Sequence, residues 1–150
     1  MINHIRAVVL VATLTLGSIY SPATLSQSTA KAVFTPIAQL KWTSAGIPGV
    51  ETAVTQGDMG KGPSHFYLKY PAGFSSPAHH HSPDHYATVV AGNLVLIADG
   101  KEHRLAPGSF FAFTGKAQHV ARCEGSQACV MFIDARGAWD VVLAKAELGK

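Results

Sequence analysis

Gly73-Phe74-Ser75-Ser76-Pro77-Ala78-His79-His80-His81-Ser82-Pro83-Asp84-His85 is the stretch on which the reading of this chain turns. Four of the eight histidines in 150 residues fall between His79 and His85. In extended backbone, side chains alternate between faces, so His79 and His81 point the same way and His80 points away. The Ser82-Pro83-Asp84 turn then redirects the chain and can bring His85, at the head of the next strand, to the side of the first two. A later strand opens on His119, a fourth imidazole of the same kind. Imidazole is a common ligand for zinc, copper, iron and nickel, and donors delivered from several strands give a rigid cage. His80, by parity, reads as a surface or supporting residue, and His4, His65 and His103 stand alone.

Outward from this stretch the chain is short strand and turn. Strands are predicted at 52–56, 65–70, 86–91, 93–97, 102–105, 109–114, 119–123, 129–134 and 139–143. The separators are turn formers, among them Gly57-Asp58, Pro71-Ala72-Gly73, Gly92, Asp99-Gly100, Pro107-Gly108 and Gly137. Closely spaced strands without a sustained helical period argue for an all-β sandwich or barrel. Residues 31–50, with Pro36 and Pro48 and no periodicity, read as an N-terminal arm. The barrel is expected over 51–143 and a C-terminal tail over 144–150.

Two spacings meet a known pattern. Gly73, five residues, His79-x-His81, three residues, His85, six residues and Gly92 form the first. Gly108, five residues, Thr114-x-Lys116, two residues, His119, three residues and Cys123 form the second. Both resemble the paired motifs of the cupin superfamily over roughly Thr52 to Leu143. Four identities differ: His85 stands where the family has Glu, Thr114 for Pro, Lys116 for Gly and Cys123 for Asn. The resemblance implies a single jelly-roll β-barrel with one divalent metal ion (zinc, iron, copper, nickel or manganese) held by His79, His81, His85 and His119. A histidine in place of the carboxylate leaves a divalent ion its full charge, which would favour an anionic or chelating partner.

Composition bounds the function. Charged residues are 14% and hydrophobic ones 47%, a globular balance. The net charge is +3, but the twelve Lys and Arg are scattered without a run, so nucleic acid is not an expected partner. The first 30 residues, with Arg6 ahead of an apolar run from Ala7 to Leu16, read as a signal for export to the periplasm or beyond. That run is shorter than the ~20 residues needed to cross a bilayer, so no membrane association is expected after its removal. In such a compartment Cys123 and Cys129, flanking the turn-like Glu124-Gly125-Ser126-Gln127-Ala128, read as a hairpin disulfide.

The expected partner is a small molecule, and homodimerisation is left open. The expected function is a mononuclear metal-dependent oxidoreductase, dioxygenase-like, acting on a small anionic or chelating substrate. The alternatives are a non-catalytic binding module and Lewis-acid isomerase or lyase chemistry.

Overall fold

Alternation in the sequence becomes alternation of burial. In the computed structural model, which describes residues 31–145, Ser64–Tyr70 and Cys129–Ala135 bury every second residue along their whole length. The export segment expected over residues 1–30 and the last five residues of the expected tail lie outside the described residues.

Eleven strands are described: β1 Thr43–Ser44, β2 Glu51–Gly57, β3 Ser64–Tyr70, β4 His79–His80, β5 His85–Ala91, β6 Asn93–Ala98, β7 Lys101–Leu105, β8 Phe110–Phe113, β9 His119–Glu124, β10 Cys129–Ala135 and β11 Val142–Leu143. They form two antiparallel sheets. One has the order β1-β2-β3-β10-β5-β8 and the other β11-β4-β9-β6-β7. Among the described residues the one helical element is the 3-10 turn Ile37–Gln39. The fold is the expected all-β cupin-type barrel.

The core between the sheets is filled by Phe66 and Leu68 from β3, Val89 from β5, Leu94 and Leu96 from β6, and Met131 and Ile133 from β10, each at most 7% exposed. Burying one such side chain stabilises the fold by roughly 1.5–3 kcal/mol, so these strands dominate its stability. Parity also removes some residues from the interior. His65, Tyr67 and Lys69 face outward, where His65 meets Asp134 at 3.4 Å and Lys69 pairs with Glu51 over the Trp42 ring. Cys123 and Cys129 are bonded, with Cα atoms 5.7 Å apart, and close the hairpin between β9 and β10.

The structure departs from the predicted strands at three places. His79–His80 is itself a two-residue strand, pairing with β9 on one side and β11 on the other. The arm contributes an edge strand, β1, against β2. The strand expected over 139–143 shrinks to Val142–Leu143, because Trp139 and Asp140 are held by other partners: the Trp139 amide donates to the Met59 carbonyl at 2.7 Å, and the Asp140 carboxylate accepts from Ser82.

Two positions of the family spacing find their cause in backbone geometry. Gly92 turns β5 into β6 with φ +78°, and a Cβ there would lie 2.5 Å from the Ala128 carbonyl oxygen. Lys116, where the family has Gly, sits at φ 60° in the turn before His119. A left-handed conformation costs a side-chain-bearing residue roughly 1–2 kcal/mol, partly offset by the lower entropy of the unfolded chain. Lys116→Gly should therefore stabilise the protein by about 0.5–1 kcal/mol in a denaturant titration; a loss of stability would contradict the strain.

Candidate metal centre

Sheet register brings the histidines together. His79 in β4 lies directly opposite His119 in β9, and their rings are 4.4 Å apart. His81, two residues on, keeps the parity of His79, with its ring 5.0 Å from His79 and 5.3 Å from His119. His85 arrives from the other sheet, at the first residue of β5, 4.9 Å from His81 and 6.3 Å from His119. All four are buried, at 2–6% exposed, while His80 is half-buried and points elsewhere. The turns that deliver His85 and His119 are tied together: the Gly115 amide donates to the Asp84 carboxylate at 2.9 Å.

The four imidazoles are not equivalent. One ring nitrogen each from His79, His81 and His119 lies within 4.8 Å of the others, close enough for the three to hold a metal ion. His85 is outside that triple. Each of the three also sets Nδ1 against a backbone carbonyl: His79 against Pro77 at 2.9 Å, His81 against Asp140 at 2.5 Å and His119 against Ala117 at 3.1 Å. A carbonyl oxygen only accepts, so Nδ1 carries the proton and, in a neutral ring, Nε2 keeps its lone pair. That is the state a metal ligand needs, with the outer partner that orients it. His85 Nδ1 has no hydrogen-bond partner, so neither tautomer is imposed on it; the nearby Pro83 carbonyl opposes the fall in its pKa without reaching bonding geometry.

Burial keeps the rings neutral. It drives the His81 pKa down to about 3 and those of His85 and His119 to about 4, and it lowers His79 as well; the carbonyl bonds oppose the shift and the neighbouring histidines add to it. A set of buried, neutral, oriented nitrogen donors fits a divalent ion of the zinc, copper, nickel or iron type.

Trp139 and Asp140 belong to this site, and strand patterning gave no signal for them. Trp139 stacks on His81 at 3.9 Å and meets the His85 ring edge-on at 5.0 Å. Asp140 supplies the carbonyl that accepts the His81 proton, while its carboxylate accepts the Ser82 amide at 2.7 Å and hydroxyl at 2.6 Å. Burial alone would raise the Asp140 pKa, but these Ser82 bonds prevail and lower it. On the barrel side Phe113 stacks flat on His119 at 3.9 Å. A cavity of about 750 Å³ opens beside His79 and His81. Deeper in the barrel, beside His85 and His119, only about 20 Å³ remains. Access to the cluster is therefore from the His79–His81 side.

Residues 66–134 match the family described as Cupin domain. Comparison with curated proteins finds no match. Among solved structures, the polyketide cyclase RemF from Streptomyces resistomycificus is similar at a TM-score of 0.64 and 17% identity, covering 80% of this chain and 89% of its own. KdgF from Halomonas sp. gives 0.59 and 20%, covering 71% and 94%. The DMSP lyase DddQ from Ruegeria pomeroyi DSS-3 gives 0.60 and 20%, covering 75% and 64%. At these identities the likeness speaks for fold.

Neutral buried histidines have a cost in acid. The unfolded chain protonates them near pH 6.5, whereas the folded metal-free protein does not until about pH 3–4. The unfolded state thus binds more protons inside that window, and stability falls as pH falls through it, by about 1.4 kcal/mol per pH unit for each fully developed group. The melting temperature of chelator-treated protein should drop between pH 6.5 and about 5, above the ordinary carboxylate range; a flat profile there would show that the cluster is not held neutral. By the patterns of its sequence and of its two sheets, then, this chain matches the Cupin domain over residues 66–134 and has the cupin fold.

Proposed function

We propose that the chain is a mononuclear metal-dependent enzyme, a dioxygenase-like oxidoreductase acting on a small chelating or anion-ended molecule. In this reading one divalent ion is held by His79, His81 and His119, with His85 as a fourth donor. The observation that carries it is the set of three Nδ1–carbonyl bonds, which leave three Nε2 lone pairs free in a buried cluster beside a 750 Å³ cavity. A redox-active ion bound there would supply Lewis acidity and electron exchange. The protein's share is to orient the donors, keep them deprotonated and exclude water: the Asp140–Ser82 clasp fixes His81, and Trp139 and Phe113 cover the rings.

Oxidation is favoured over isomerase or lyase chemistry by what the cavity lacks. Where those reactions run through side-chain acids and bases, they use a protein group placed to move a proton. Among the described residues lining the cavity, apart from the histidines, the titratable groups are Tyr70, which burial holds protonated, and Asp140, whose carboxylate is taken up by Ser82. The same scarcity of acids and bases supports a second reading, non-catalytic capture of a small molecule. The apolar run from Ala7 to Leu16 supports an exported location, where the Cys123–Cys129 bridge would persist.

The test begins with cobalt(II)-loaded protein, titrated with azide. An open coordination position should appear as a shift of the d–d bands; intense four-coordinate bands that azide leaves unchanged would favour a closed, structural ion. His79→Ala, His81→Ala and His119→Ala should each lower metal affinity by more than the 10–100-fold typical of an outer partner. His85→Ala should weaken binding by a smaller factor. If it left affinity unaltered, the fourth donor would have to be given up, the triple remaining.

A further inference from the structure

The sequence directs attention to the charge of the metal; the cavity beside it has a different character. Its walls include Ile47 from the arm, Val50, Leu68, the stacked pair Tyr70 and Phe74 with rings 4.4 Å apart, and Trp139. Among the described residues no lysine, arginine or glutamate lines it, and its one carboxylate, Asp140, is already hydrogen-bonded twice to Ser82. A buried or half-buried anion needs a cation or several donors, because desolvation costs several kcal/mol per ion. Apart from the histidines at one end, this cavity offers scattered hydroxyls: Ser44, Thr52, Ser75 and Ser76. Of these, Ser76 Oγ already accepts the Ala121 amide at 2.9 Å.

We infer that the cavity takes a molecule with a mainly apolar, uncharged body of aromatic type and an oxygen donor at one end, with the body between the Tyr70–Phe74 pair and Trp139 and the oxygen toward His79 and His81. The volume of about 750 Å³ is that of a small-molecule site of drug-like size rather than of a lone small anion. The orientation follows from the one concentration of polar atoms, and that part alone rests on the metal reading above. The body's uncharged, apolar character follows from the walls and stands without a metal.

Three probes of matched size separate the two parts: naphthalene, 2-naphthol and 2-naphthoate, titrated by tryptophan fluorescence and calorimetry into metal-free and zinc-loaded protein. In the metal-free protein 2-naphthol should bind at least about tenfold more tightly than 2-naphthoate, the factor that 1.4 kcal/mol of unpaired-charge cost represents. Zinc should then strengthen 2-naphthol relative to naphthalene. If zinc changed nothing while the metal-free preference held, the metal reading would fail and the cavity assignment would survive. If metal-free protein bound 2-naphthoate as tightly as 2-naphthol, or bound neither because the cavity is filled by the chain itself, the inference would be overturned. Ile47→Arg, at a position 38% exposed and so tolerant of a long polar side chain, should bring 2-naphthoate up by about tenfold through a new ion pair. An unchanged ratio in a folded Ile47→Arg protein would place the probe outside this cavity and contradict the assignment.

Discussion

Three hydrogen bonds from imidazole Nδ1–H to backbone carbonyls are the constraint on which the site depends. A buried neutral histidine has two tautomers, and only one leaves the inward nitrogen with a lone pair. Pro77, Asp140 and Ala117 each supply an acceptor that selects it. Because these acceptors are backbone atoms, donor chemistry is built into the path of the chain. Two of the carbonyls lie two residues before the histidine they serve, so the turns entering β4 and β9 carry the histidine and its partner together. The third comes from across the barrel, 59 residues away.

That long-range contact makes the segment from Trp139 to Leu143 part of the site. It leaves the sheet early, hydrogen-bonds Met59 through Trp139 and Ser82 through Asp140, and rejoins by pairing β11 with β4. His81 is thereby held on three sides: by strand continuity, by the Asp140 carbonyl and by the face of Trp139. The filled barrel behind His119 and the open cavity before His79 then give the cluster one accessible side. An ion there would meet small molecules arriving between the arm and this segment.

Much of this was legible in the sequence because it follows from period and spacing. The parity of His79 and His81, the turn at Ser82-Pro83-Asp84 and the strands on either side of Gly92 are local matters, and the structure places all three as read. The convergence of His119 on His79 is not local, and only the likeness of spacing to the cupin motifs pointed to it. Trp139 and Asp140 were out of reach: their pattern resembles a strand, and what removes them from one is bonding to residues 80 and 58 positions earlier. His85 is the intermediate case. The sequence brings it to the correct end of the barrel, but its unpartnered Nδ1 and its place outside the close triple are tertiary facts.

The central claim, that His79, His81 and His119 are held with Nε2 free to bind a metal, is open to long-range proton–nitrogen NMR correlation of the imidazole rings, recorded without metal and after one equivalent of zinc. The account predicts the Nδ1–H tautomer for all three rings in the metal-free protein and a change confined to Nε2 on adding zinc. An Nε2–H tautomer in these rings, or nitrogen signals that zinc leaves in place, would contradict it.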